Sequence, residues 1–200
     1  MLIDIAILPP QDTRKKIGAK MKKGVGDLPN LFVVDNDKLI PHLSLWHLRT
    51  SKEKINKIAR EVEKIAKGQK SVKINSSTFH ALEQYKGFLE FAVKNTKELA
   101  LLQQKVFQKT YLYKTGTMPK FASFVGHPYT GEKLKEVKKY GRPLGFTPHF
   151  TMGWLKNEKD VAPTVKKMQG IKLSFLAKEL YICEVDKWWQ VKRIIKKIEF

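Results

Sequence analysis

The sequence predicts an α+β fold made from a duplicated unit, and three observations carry that expectation. Short apolar runs bounded by proline or glycine alternate with helical segments of 3.6-residue periodicity. The pattern Pro-His-x-Ser/Thr occurs twice, at Pro41-His42-Leu43-Ser44 and at Pro148-His149-Phe150-Thr151. Each copy is followed by an amphipathic helix, a glycine (Gly68 or Gly170) and two further strand candidates, so a unit of roughly fifty residues recurs. Two similar lobes related by an approximate two-fold axis are expected.

The elements follow in order. Residues 2–8 alternate well enough for a buried strand that Pro9-Pro10 stops, and Asp12 is placed to cap a short basic helix ending near Gly24. Leu31-Phe32-Val33-Val34 reads as a second strand and residues 41–48 as a third. Ser51 is placed to cap the strongest helix, in which Ile55, Ile58, Ala59, Val62, Ile65 and Ala66 share one face before Gly68. Strand-like segments near 71–80 and 86–93 come next. A helix capped near Asn95 or Thr96 then carries Leu99, Leu102, Val106 and Phe107 on its apolar stripe. Residues 115–148 carry glycines, prolines and a basic cluster, and part of this stretch is expected to be mobile. Residues 148–155 form the second motif strand, a short helix spans about 160–169, and strands near 171–185 and 189–199 close the chain.

At 200 residues the chain can bury its own core, and one body comprising residues 1–200 is expected. The single cysteine, Cys183, stands in the apolar run Leu180-Tyr181-Ile182-Cys183, as a buried small hydrophobe does; a disulfide framework or cysteine-based zinc site is excluded. No targeting segment or membrane span is read, so a cytoplasmic protein with no membrane partner is expected. The 39 basic and 19 acidic side chains give a formal net charge of +20. A polyanionic partner follows, nucleic acid first, because a basic surface gains affinity by releasing counterions condensed on phosphates. Lysine-rich surfaces also merely solvate helices, so charge alone selects no reaction.

The repeated motif does select one. Side chains alternate along a strand, so His42 and Ser44 share a face opposite Leu43 and Leu45, and His149 and Thr151 share a face opposite Phe150 and Met152. Apolar faces packed on helices would leave two imidazole–hydroxyl faces lining one cleft. Two imidazoles on opposite sides of a phosphodiester can act as base and acid near neutral pH. Ser44 and Thr151 would donate to the non-bridging oxygens, where charge builds in the transition state. No HExxH or close His/Asp cluster and no GxxxxGK[ST] loop is read, so neither a metal nor a cofactor is expected.

With these motifs the sequence resembles the 2H phosphoesterase superfamily, whose members carry two His-x-Ser/Thr-hydrophobic tetrapeptides. Here they are His42-Leu43-Ser44-Leu45 and His149-Phe150-Thr151-Met152. The opening strand ending in Leu8-Pro9-Pro10 and the 107-residue spacing of the histidines (149 minus 42) extend the likeness over most of the chain. It is most similar to the branch of RNA 2′,3′-cyclic phosphodiesterases, historically called 2′-5′ RNA ligases. The resemblance implies a bilobal α+β fold with two antiparallel sheets and flanking helices around a central cleft. It implies His42 and His149 as catalytic, Ser44 and Thr151 as phosphate-binding, and a monomer acting without metal on RNA or nucleotides with a cyclic phosphate or 2′-5′ linkage. Hydrolysis of 2′,3′-cyclic phosphate ends, with reverse 2′-5′ joining, is the leading expectation. The alternatives are a phosphodiesterase for 2′-5′ or cyclic oligonucleotides and a non-catalytic RNA-binding module.

Other residues carry weaker signals. Trp46 shares the parity of His42 and Ser44 and is a candidate stacking surface for a base, although core packing is the commoner role. Trp154 has core parity. Arg142, at the end of a run with Lys133, Lys135, Lys138 and Lys139, is a candidate contact to the phosphate backbone. His47 falls on the Leu43 and Leu45 face of a regular strand and is expected to be structural. His80 and His127 lack a partner motif, and His127 in Gly126-His127-Pro128 is read as a turn residue.

Overall fold

The computed structural model describes residues 1–82, 85–119 and 129–200, and His127 lies outside them. Among the described residues, nine strands and five α-helices follow one another as β1 (Leu2–Ile7), α1 (Gln11–Val25), β2 (Asn30–Val33), β3 (Leu43–Arg49), α2 (Ile55–Lys67), β4 (Val72–Ala81), β5 (Phe88–Val93), α3 (Lys97–Thr110), α4 (Gly131–Tyr140), β6 (His149–Leu155), α5 (Val161–Met168), β7 (Ser174–Ala177), β8 (Glu179–Val185) and β9 (Val191–Glu199). The signals at helix ends act unequally. Thr96 caps α3, accepting from the Leu99 N–H at 3.3 Å, whereas Ser51 makes no capping bond and a 3-10 turn at Lys52–Lys54 precedes α2. Pro10, not Asp12, stands at the cap position of α1, with Asp12 in the first turn where an acid meets the positive helix end. The glycine- and proline-bearing stretch contains α4, a largely polar helix with no buried residue, and its residues 120–128 lie outside the described ones.

All strand pairs are antiparallel, in the order β7-β4-β5-β6-β3-β1-β8-β9, with β2 also on β6. The two expected sheets are the halves of this single sheet, and they meet at the pairing of Leu43 with Phe150, one residue past each motif histidine. Helices α2 and α3 pack over β3, β8 and β9; α1 and α5 pack over β2 and β4. The apolar alternates of the motifs face this core: Leu43, Phe150 and Met152 have no exposed surface, and Ile58, Ala59 and Val62 of α2 are equally buried. Burying each large aliphatic of that stripe stabilises the fold by about 1.5–3 kcal/mol.

The duplication is an exchange. The order β3-β1-β8-β9 mirrors β6-β5-β4-β7, so β1 corresponds to β5 and β8 to β4. The first unit contributes β4 to the half built on β6, and the second contributes β8 to the half built on β3. Only Lys178 separates β7 from β8, yet they pair at opposite ends of the sheet. The outer strand β9 carries Lys192, Arg193, Lys196 and Lys197, ion-paired to Glu184, Glu63, Glu179 and Glu199. Charge on an exposed edge opposes further strand addition.

Candidate active site

His42, Ser44, His149 and Thr151 line one cleft of about 410 Å³ where the halves of the sheet meet. The two imidazoles are held alike. His42 Nδ1 lies 2.9 Å from the Ile40 carbonyl, and His149 Nδ1 lies 2.7 Å from the Thr147 carbonyl. A carbonyl can only accept, so each Nδ1 carries the proton and each Nε2 is the working nitrogen. The prolines between explain the repetition: each confines the preceding residue to extended backbone, which keeps that carbonyl beside the ring. Ile40 is further pinned by a backbone bond to Val191 of β9 at 2.8 Å.

Two buried carboxylates lie beneath these rings. Asp4 Oδ2 is 3.8 Å from His42 Nε2, and Glu90 Oε2 is 3.9 Å from His149 Nε2. Asp4 is fully buried, and burial pushes its carboxyl up to about 7 against the opposing pull of the Ser44 hydroxyl and the Arg142 charge. Burial, only partly opposed by the Ile40 carbonyl, pushes His42 down to about 4, so its Nε2 offers a lone pair at neutral pH. The halves differ in access: the side chain of His42 is 3% exposed and that of His149 is 35%.

Strand alternation fails after the motif, and the reason is a bulge. On β1 the partners step from Ile5 to Ala6 while on β3 they step from Trp46 to Ser44, leaving Leu45 as the extra residue. The same irregularity on β6, where Leu89 faces Gly153 and Glu90 faces Thr151, leaves Met152 extra. Parity inverts beyond each bulge. Trp46 is therefore turned into the core, 1% exposed against Phe107, and the expectation that it stacks on a base is overturned. His47, read as structural, is turned to the cleft instead.

Arg142 also lines the cleft, rather than belonging to a solvated run. Gly141 ends α4 in the left-handed conformation (φ 89°), which turns the chain toward the cleft at the next residue. The guanidinium carbon sits 4.9 Å from the Trp46 ring centre and 5.5 Å from that of Trp189, and Nη1 donates to His47 Nδ1 at 3.2 Å. Lys133 of α4 is the second cation of the lining. The His149 side is apolar, with Leu82, Tyr85, Phe88 and Phe146; Tyr85 and Phe88 lean on Trp154, whose Nε1 donates to the Lys86 carbonyl at 2.8 Å.

The sequence reading passed over Asp4, Glu90 and the cleft role of His47. A signal for the acids is present: each is the third residue of an otherwise apolar six-residue strand, Leu-Ile-Asp-Ile-Ala-Ile and Phe-Leu-Glu-Phe-Ala-Val. His80, which has no partner motif in the sequence, faces Glu90 across the β4–β5 pair with Nε2 3.4 Å from Oε1. Among the described residues, Asp4, His42 and His47 bring one ligand-type atom each within 4.8 Å of one another. This correction to the sequence reading is one of proximity only. With Arg142 donating to its Nδ1, His47 presents an N–H rather than a lone pair to that centre, and the guanidinium adds positive charge, so the set does not fit a divalent cation. No helix among the described residues is long and apolar enough to cross a membrane.

No family model matches the sequence, and no curated protein matches it. Solved structures match over the full length. TT0787 of Thermus thermophilus gives a TM-score of 0.62 at 11% identity, covering 100% of this chain and 97% of that one. LigT of E. coli complexed with 3′-AMP gives 0.58 at 14% identity, covering 99% and 97%, and a phosphoesterase gives 0.54 at 13%, covering 100% and 98%. At such identities the likeness is one of fold. The chain has the fold of the 2H phosphoesterases.

Proposed function

We propose that this protein is a metal-independent phosphodiesterase that opens 2′,3′-cyclic phosphates at RNA ends, with His42 and His149 as its acid–base pair. The observation that carries the reading is the matched anchoring of both rings through Nδ1 on the carbonyl two residues back, which frees both Nε2 atoms in one cleft. In the reaction a water oxygen bonds to phosphorus and the P–O3′ bond breaks. One imidazole Nε2 takes the water proton, the other gives its proton to O3′, and a 2′-phosphate is left. Ser44 and Thr151 stabilise the non-bridging oxygens. Arg142 and Lys133 supply positive charge at the wall, and the apolar wall of Tyr85, Phe88 and Phe146 suits a nucleobase. The cleft volume falls within the range of small-molecule sites, which fits a terminal nucleotide. Support also comes from the fold shared with LigT complexed with 3′-AMP.

The test is hydrolysis of nucleoside 2′,3′-cyclic phosphates and of a cyclic-phosphate-ended RNA oligomer in excess chelator. Turnover by the intact protein, reduced at least about a thousandfold in both His42→Ala and His149→Ala, is expected. Unchanged turnover in either variant, or loss of activity on chelation, refutes the mechanism. An intact protein inert on both substrates directs attention to 2′-5′ and cyclic oligonucleotides.

A further inference from the structure

His47 stands between a cation and a hydroxyl, and its two ring nitrogens are not equivalent. Arg142 can only donate, so its Nη1 contact at 3.2 Å requires a lone pair on His47 Nδ1. The proton is then on Nε2, which lies 3.3 Å from Ser44 Oγ and 3.3 Å from the Trp189 carbonyl. The carbonyl can only accept, and it independently demands the same tautomer. His47 thus has the opposite tautomer to His42, and Ser44 Oγ accepts from it.

We infer that Arg142 and His47 form a directed hydrogen-bond relay that makes Ser44 an obligate donor to the substrate phosphate. With its oxygen accepting from His47 Nε2–H, the Ser44 hydroxyl can only give its own hydrogen, to the Asp4 carboxyl in the free protein and to the phosphate once substrate is bound, and polarisation along the chain strengthens that donation. The relay is built rather than incidental. Arg142 is sandwiched by Trp46 and Trp189, and Trp189 adopts φ 64°, an uncommon backbone state for a bulky residue, in the turn that presents its carbonyl to His47. Burial, then the Arg142 charge, push the His47 imidazole far down, which keeps it neutral beside Asp4. Among the described residues the second half shows no equivalent: the place of His47 on β6 belongs to Trp154, whose N–H is turned to Lys86. His47 and Arg142 are in this respect positioning residues acting through Ser44.

The inference rests on the proposed reaction, so its test has one arm that needs turnover and one that does not. In the first, kcat on a nucleoside 2′,3′-cyclic phosphate is measured for Ser44→Ala, His47→Phe, His47→Gln and the Ser44→Ala/His47→Phe double variant. His47→Phe is expected to lose about tenfold or more in kcat with little change in KM, and the double variant to be about as slow as Ser44→Ala. His47→Gln, whose amide Nε2–H can replace the ring N–H, is expected to recover to within severalfold of the intact protein. Losses that multiply in the double variant, or a glutamine variant as slow as the phenylalanine one, overturn the relay. In the second arm, 15N NMR of the histidine rings at neutral pH is expected to show His47 protonated at Nε2 alone. An Nδ1–H or doubly protonated ring overturns it, whether or not the protein turns over cyclic phosphates or His47→Phe folds. Absence of turnover in the intact protein refutes the proposed function instead.

Discussion

Asp4 and Glu90 occupy equivalent places in the two halves of the sheet, each on the strand beside a motif strand and each with a carboxylate 3.8 or 3.9 Å from the Nε2 of a motif histidine. Each buried carboxyl group restrains the orientation of its ring, and at that distance it is too far away to take the proton directly. The two-histidine centre is therefore a pair of carboxylate–imidazole units.

Glu90→Gln removes the acid and keeps the shape. An approximately tenfold fall in kcat with KM within twofold is expected, with Glu90→Asp intermediate. Steady-state kinetics on a cyclic-phosphate substrate decide it, and an unchanged kcat would show that Glu90 merely fills space beside His80.

The pH dependence of stability isolates Asp4. Its carboxyl is raised from 3.8 to about 7 in the fold, so the stability it contributes is full below about pH 4 and is lost as pH rises through 7. His42 acts oppositely: lowered from 6.5 to about 4, it contributes above 6.5 and loses that contribution as pH falls through 4. Between these limits the two slopes cancel. Asn in place of Asp4 abolishes only the first, so the stability of the intact protein relative to Asp4→Asn is expected to fall between pH 4 and pH 8 by roughly 4 kcal/mol at most. Denaturant unfolding of both proteins across that range measures it; a flat difference would mean an ionised Asp4 throughout.

Gly87 closes the turn before Phe88 with φ 88°, and a Cβ there would meet the Leu155 carbonyl oxygen at 2.1 Å. That oxygen is backbone, and the Trp154 ring lies 3.1 Å from the same Cβ, so the nearest atom is not a flexible side-chain end that could yield. Gly87→Ala is expected to cost about 3 kcal/mol or more, or to displace the turn. Because Tyr85 and Phe88 line the cleft, a variant that still folds is expected to raise KM more than it lowers kcat.

Arg142→Lys keeps a charge but loses the planar group held between two indoles. Activity within threefold of Arg142→Met, and far below the intact protein, is expected in the same kinetic assay; full activity in the lysine variant would reduce Arg142 to a point charge.

What the sequence made legible depended on range. Period-two alternation is local, and it placed His42 with Ser44 and His149 with Thr151 on the cleft. It failed at Trp46 and His47 because a bulge is set by the partner strand, and nothing in Leu45 or Met152 marks either as an extra residue. The stripe of α2 was visible in its own residues, whereas α4 offers only Leu134, Val137 and Tyr140 among its charged residues and buries none of them. Asp4 and Glu90 were in plain view as isolated acids in apolar strands, but their meaning depends on neighbours across the sheet, His47 and Cys183 for Asp4 and Thr151 and His80 for Glu90. Arg142 reads as the end of a lysine run until the glycine before it turns the chain.

The exchange of β4 and β8 also orders events during synthesis. A nascent chain leaving the ribosome presents β1, and with it Asp4, along an edge that stays unpaired until Glu179–Val185 has been made. The carbonyl of Trp189 that meets His47 arrives later still. A translation product interrupted after the second histidine motif would hold every residue of both tetrapeptides and still lack a finished reaction centre, while exposing a raw strand edge of the kind that chaperones shield.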